Sequence, residues 1–418
     1  MSLKQPVPQP LRALTPDGRL LFATRAVRLF AYGFLSVILV LYLEQAGLTT
    51  SRIGLLLTLT LAGDTLISLY LTTTADRMGR RRTLILGSGL MLFAGLLFAV
   101  TDSFALLLIA ATIGVISPSG GEIGPFLSIE QAGLSQIIPG ELRTRVFAWY
   151  NLIGSFATAF GALAGGGLTQ VLQGAGMTPL ESYRAVVIGY AAMGTLLCLL
   201  FTRLSPAAEV SLPPAPGLSG RFGLGRSRGV VLRLSGLFAL DAFAGGFVMQ
   251  SILAYWFHVR FGVEPALLGA IFFGANLLAG LSALSAARLA DRFGLINPMV
   301  FTHIPSNILL ILVPLMPSLP LAIGLLLLRF SISQMDVPTR QSYTMAVVSP
   351  EERSAAAGIT GVARTVGASL SPVVTGPLLA SPALLSLPLM LAGVLKIVYD
   401  LLLYRSFRAH RPPEEKRS

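Results

Sequence analysis

Charge is scarce in this chain. Of its 418 residues only 12% are Asp, Glu, Lys or Arg, against 54% hydrophobic, and the mean hydropathy is +0.74. Soluble domains carry about 25% charged residues, so a water-soluble globular body is excluded. Cysteine is nearly absent: Cys198 stands alone, and no intrachain disulfide can form. The three histidines, His258, His303 and His410, lie far apart and make no metal-ligand spacing. There is no Gly-x-x-x-x-Gly-Lys-Ser/Thr loop, no nucleophile elbow and no His-Glu-x-x-His. Direct ATP coupling, acyl transfer and zinc hydrolysis therefore lack their residues. Neither an enzyme nor a bound cofactor is expected.

What the chain has is apolar length. Runs of about 20 residues, each enough for a hydrocarbon core of roughly 30 Å, recur from end to end. They predict twelve spans: 22–43, 53–74, 83–101, 104–136, 145–172, 184–203, 233–257, 265–287, 296–316, 319–345, 353–379 and 384–404. Helices are the open structures that satisfy their backbone in lipid, so each span is predicted helical. The polar start, Met1 to Arg19, leads into a run with no small-residue cleavage site, which reads as span 1.

The net charge of +12 could point to nucleic acid, but its placement points to a membrane. Basic residues fill every second connection, among them Arg80 to Arg82, Arg143 and Arg145, Arg203 to Arg233, Arg288 and Arg292, Arg340 and Arg353. The alternate connections hold only Arg52, Arg184 and Arg260. That asymmetry places both termini and the central loop in the cytoplasm of a multi-pass protein of the plasma (inner) membrane, with no nucleic-acid partner. The loop, 204–232, is rich in Pro, Gly, Ser and Arg and divides the chain into halves 1–203 and 233–418.

The halves repeat. Ala75-Asp76-Arg77-Met78-Gly79-Arg80-Arg81 follows span 2, and Ala290-Asp291-Arg292-Phe293-Gly294 follows span 8. Pro139-Gly-Glu141-Leu-Arg143 before span 5 parallels Pro350-Glu351-Glu352-Arg353 before span 11. Paired motifs at matching offsets are how many secondary transporters are built. The first motif resembles the loop signature of the major facilitator superfamily, with Thr72 where glycine is common; the second copy lacks the trailing basic pair. The resemblance covers the whole chain.

It implies an all-α membrane protein of twelve transmembrane helices in two pseudo-symmetric six-helix bundles. It further implies a monomeric carrier of a small molecule by alternating access, with protons as coupling ion, and central spans 1, 4, 7 and 10. Asp76, Arg77, Gly79 and Arg80, with Asp291, Arg292 and Gly294, would form the gating motif. Gly79 permits a tight turn, and Asp76 can face a helix N-terminus of the other half, where an anion is favoured. Gly161-Ala162-Leu-Ala-Gly165-Gly166 in span 5 resembles the family's antiporter signature, with Ala162 in place of proline. Small residues there serve plain packing equally. Proton-coupled efflux of a drug or metabolite is the reading taken. Uptake by proton symport of an anionic or zwitterionic metabolite is the alternative, and a non-transporting receptor a remote one.

Span 4 is interrupted at membrane depth by Ser117-Pro118-Ser119-Gly120-Gly121-Glu122-Ile123-Gly124-Pro125. Irregular backbone at that depth must line protein or a water-filled cavity, and intramembrane carboxyls are functional candidates. Glu130 and Glu122, with Asp241 and Asp336, are the candidates for proton coupling, Glu130 foremost because backbone amides would hold Glu122. Arg28, Tyr32, Gln131, Gln250, Arg329, Gln334 and Arg364 are the candidates for substrate contact, and suit an anionic or zwitterionic solute. A salt bridge of Glu122 with Arg28, Arg329 or Arg364 is the structural alternative. Asp64 reads as a structural partner, Asn276, His303 and Asn307 as interhelical hydrogen-bonders. Lys396 and Asp400 read as an i, i+4 pair, and Trp149, Tyr150 and Trp256 as interfacial aromatics.

Overall fold

Helix starts are written clearly into the chain. Thr15 accepts from the Gly18 amide at 3.1 Å just before Pro16 opens the first helix. Thr178 and Glu181 form a reciprocal capping box ahead of Pro179, which satisfies amides the helix itself leaves unbonded. The computed structural model describes residues 14–138, 143–209, 227–349 and 352–408, with the side chains of 76, 143–145, 286–288, 290, 291 and 354 also outside the description.

The helices, in chain order, are α1 (Pro16–Ser36), α2 (Leu39–Gln45), α3 (Thr50–Met78), α4 (Arg80–Val100), α5 (Phe104–Ile113) and α6 (Phe126–Ile137). Then come α7 (Arg143–Gly174), α8 (Pro179–Phe201), α9 (Arg228–Gly246), α10 (Gln250–Phe261), α11 (Pro265–Phe293) and α12 (Ile296–Phe301). The chain ends with α13 (His303–Leu312), α14 (Leu319–Phe330), α15 (Asp336–Ala346), α16 (Arg353–Leu379) and α17 (Leu387–Phe407). Among the described residues eight segments, counting α9 with α10 and α12 with α13, are long and apolar enough to cross a membrane, and nine with α1 and α2, which meet at 45°. Of the twelve expected spans the other three are α5 with α6, α14 with α15, and the more polar α16.

Each of the four spans expected along the central path is broken. Span 1 bends at 37–38, span 4 loses its helix over 114–125, span 7 breaks at 247–249 and span 10 at 331–335. The expectation of one helix over 104–136 is thereby corrected: Pro118 and Pro125 remove amide donors, and Gly120 and Gly124 take positive φ. The 204–232 loop is shorter than expected, because α9 already starts at Arg228; its part 210–226 lies outside the described residues.

Small residues set the packing. Gly161 and Gly165 of α7 lie directly against the backbone of Phe30 and Phe34 on α1. Two crossings join the helices before the 210–226 segment to those after it. On α3 and α16, a β-carbon at Gly376 would stand 3.1 Å from the Cα of Gly54; on α7 and α11, one at Gly166 would stand 2.9 Å from the Cα of Gly269. Such close approach is the use of glycine between membrane helices. Both crossings lie toward the Thr50 end of α3, away from its Met78 end. Tyr150 and Trp256, expected at the interface, are 0% exposed, while Trp149 is exposed; Tyr150 turns inward because its hydroxyl has a buried partner, described below.

Candidate transport cavity

Toward the Met78 end of α3 a cavity of about 750 Å³ lies between α3, the 114–125 break, α6, α9, α16 and α17. Leu61, Leu127 and Met249 supply apolar wall, and Asp64, Glu122, Gln131, Asp241, Arg364 and Lys396 supply its polar groups. Carboxylates of the first half thus face cations of the second.

Behind the first wall lies a buried four-charge cluster. Arg25 and Arg28 sit three residues apart on one face of α1. Arg28 binds Glu130 at 2.7 Å and Glu122 at 3.0 Å, and Arg25 also pairs with Glu122. Glu130 accepts further from Thr24 at 2.9 Å and from the Tyr150 hydroxyl. The Arg28 guanidinium stacks 4.6 Å from the Phe126 ring, and that of Arg25 4.2 Å from Tyr150. Buried charges persist when paired and hydrogen-bonded on all sides, and Glu130 meets that condition. It is 0% exposed and does not line the cavity. Glu122 does line it, and its Oε2 has no hydrogen-bond partner among the described residues. Among the described residues no backbone amide donates to Glu122, contrary to expectation; the Gly124 amide instead donates to Asp64 at 2.8 Å. Arg28 and Tyr32, both fully buried, stand behind the wall, with the Tyr32 hydroxyl 3.4 Å from the Ile123 carbonyl.

The second wall is organised by Asp241. It receives Lys396 at 2.6 Å, Arg340 at 2.9 Å and Arg364 at 3.5 Å, and Arg340 also meets Asp336 at 3.2 Å. Two expectations are corrected here. Lys396 does not pair with Asp400, which holds His303 at 2.8 Å and Asn307 at 3.1 Å; α17 packs with α9 on the Lys396 side and with α13 on the Asp400 side. Arg340 is no loop residue but a buried member of α15. Arg364 lines the cavity, and its Nη1, the atom nearest Asp241, makes no hydrogen bond among the described residues. Arg329, buried beside Phe330 at 4.9 Å, makes no ion pair among the described residues, and the Gln334 amide donates to Ser282 at 3.3 Å. Arg329, Gln334 and Asp336 do not line the cavity.

Hydrogen bonds between the halves close the far mouth. Among the described residues these are Gln250 to Ser36 at 2.8 Å, the Ser251 amide to the Pro118 carbonyl at 3.1 Å, Tyr255 to Glu44 at 2.9 Å and Gln170 to Glu264 at 2.9 Å. Asn276 braces Gln250 from α11 at 2.9 Å. Gln250, expected to touch substrate, serves this closure.

At the opposite end Gly79 turns the chain with φ +92°, a region that disfavours other residues. The Arg80 and Arg81 amides at the start of α4 donate to Glu209 at 2.7 and 3.0 Å, and Arg80 reaches Gln136 at 2.8 Å. Glu209 was missed in the sequence; its signal is a lone acid between Arg203 and Arg221. Gly294 has φ +76°, and Arg77 and Arg292 are exposed. The Asp76 and Asp291 side chains lie outside the described residues.

The profile described as Major Facilitator Superfamily matches residues 21–372. The chain is 32% identical over 418 residues to the uncharacterized membrane protein YJR124C of Saccharomyces cerevisiae, covering 93% of each. It is 27% identical over 139 residues to the quinolone resistance protein NorA of Staphylococcus aureus, covering 33% of this chain and 34% of that one. Its fold superposes with a TM-score of 0.72, at 17% identity, on a bacterial homolog of the human lysosomal transporter Spinster in an inward-facing, unoccupied conformation, covering 97% of this chain and 99% of that one.

Proposed function

The chain belongs to the major facilitator superfamily and carries a small solute across a membrane by alternating access; on that premise we propose that it is a proton-coupled exporter of an anionic or zwitterionic organic solute. The single observation that carries the substrate class is the opposition across the cavity of Arg364 and Lys396 to Glu122. Arg364 Nη1 and Glu122 Oε2 both lack hydrogen-bond partners among the described residues. Both residues line the cavity, and a solute with one anionic and one donor group would pair with them through charge-assisted hydrogen bonds. Leu61, Leu127 and Met249 would cover its apolar body. Export is supported by the local similarity to a quinolone resistance protein.

In this reading the halves 1–203 and 233–418 rock as bundles of a monomer in the plasma membrane, termini and 204–232 in the cytoplasm. The closed mouth at Tyr255 and Glu44 then faces outward, and the cavity is open to the cytoplasm. Asp76, at the end of α3, latches to the start of α16 when that side shuts, as helix dipoles favour. Glu130 holds Arg28 in place, and Glu122 is the wall carboxylate that meets substrate.

The test is flux in proteoliposomes with a zwitterionic quinolone as probe. A pH gradient, acid on the side corresponding to the cell exterior, should drive accumulation there, and Arg364→Ala should abolish it. Accumulation that ignores the gradient, or a probe that neither binds nor moves, overturns the proposal; flow of probe with the protons identifies symport instead.

A further inference from the structure

One cavity carboxylate has no cation among the described residues. Asp64, on the middle of α3, lines the cavity and is 7% exposed. Among the described residues it makes no ion pair, unlike Glu122, Glu130, Asp241 and Asp336. Both of its hydrogen bonds converge on Oδ1, from the Gly124 amide at 2.8 Å and from Ser68 at 3.2 Å, which leaves Oδ2 to the cavity. We propose that Asp64 is the proton-carrying group, and that its charge sets the position of the 114–125 break.

An isolated carboxylate within a membrane protein is costly, and taking up a proton removes that cost. Glu122 and Glu130 are instead paired with Arg25 and Arg28, and Asp241 with Lys396 and Arg340. The surroundings of Asp64 agree. The break presents Glu122, α1 Tyr32 and α8 Tyr190. Phe104–Ile113 of α5 has no titratable side chain, and α6 offers only Glu130, committed to Arg28. The far wall presents Asp241, Arg364 and Lys396, of which the two cations are already drawn to Asp241.

The break carries the signal. Gly124 is two residues from Glu122, and Pro118, in the same segment, accepts the Ser251 amide across the closed mouth. Hydrogen bonds to a charged acceptor are roughly twice as strong as those to a neutral one. Protonation of Asp64 therefore loosens its hold on Gly124, and the segment that bears both the substrate carboxylate and the mouth contact is free to shift.

This assignment rests on the proton coupling proposed above, and the experiment separates the two. Wild-type protein in vesicles is treated with dicyclohexylcarbodiimide, which modifies protonated carboxyls in apolar surroundings, and the adduct is mapped by peptide mass. Modification at Asp64 that rises as pH falls is the expected result; modification at Glu122 or Glu130 with Asp64 untouched overturns the assignment. In parallel, Asp64→Asn keeps an acceptor for Gly124 and should lose gradient-driven quinolone accumulation while retaining quinolone counterflow without a gradient. Asp64→Glu should restore the gradient response. Full gradient-driven accumulation by Asp64→Asn, or loss of counterflow as well, overturns Asp64 alone. Wild-type vesicles that ignore the gradient overturn the coupling itself.

Discussion

The hydroxyl of Tyr255 donates to Glu44 at 2.9 Å, tying α10 to the end of α2 across the closed mouth. Neither residue has an ion pair there among the described residues, so this bond and three other cross-half bonds carry the polar part of the closure. The apolar part is the glycine crossings of α3 with α16 and of α7 with α11.

Tyr255→Phe keeps the ring and removes the donor. A hydrogen bond to a charged acceptor contributes about 1.5–3 kcal/mol, so the closed mouth should lose about tenfold or more of its population advantage. Spin labels at Gln45 and Val259, both exposed, should show the longer distance gaining weight. An unchanged distribution would remove Tyr255 from the gate.

Arg28 and Arg364 should separate stability from binding. Arg28→Ala strands Glu130, which is 0% exposed, and breaking a buried pair costs about 3–5 kcal/mol. Thermal unfolding in detergent should fall markedly. Arg364→Ala should leave unfolding nearly unchanged yet raise the quinolone Kd about tenfold or more, the loss of one charge-assisted hydrogen bond. The reverse pattern would put the binding site on the first wall.

At the other end, Glu209→Gln weakens the cap that Arg80 and Arg81 amides make. A loss of about 0.5–2 kcal/mol is expected in unfolding experiments. Asp76→Asn should instead shift conformers, weakening the state closed on the linker side by about 0.3–2 kcal/mol. Equal conformer populations in wild type and Asp76→Asn would leave the motif as a topology signal.

Sidedness is checked with a Cys198→Ser background and single cysteines at Ser219 and Gln45. An impermeant maleimide applied to intact cells should label position 45 and spare 219. Labelling of both from outside contradicts the orientation.

The fold was legible because lipid imposes long apolar runs, and the break in span 4 because Pro118, Pro125 and their glycines cannot continue a helix. Charge partners were less legible. Spacing on one helix suggested Lys396 with Asp400, but pairing is settled by the helices that flank α17: α9 brings Asp241 to Lys396, and α13 brings His303 to Asp400. Arg25 was overlooked although it stands one turn from Arg28, and Tyr150 was read from its place near a span end rather than from its buried partner, Glu130. Glu130 was read as a costly carboxyl at the cavity but lies buried behind its wall, because which carboxyl faces the cavity depends on how the break turns Glu122 toward it.

Alternating access is tested most directly by two label pairs in one protein, Gln45 with Val259 at the closed mouth and Thr73 with Ala357 at the linker end of α3 and α16. Distances are measured with and without the quinolone at two pH values. The expected result is two populations at each pair whose weights move in opposite directions, the outer distance lengthening as the inner one shortens. A single fixed distance at both pairs under every condition would contradict a carrier that works by exposing this cavity to each side in turn.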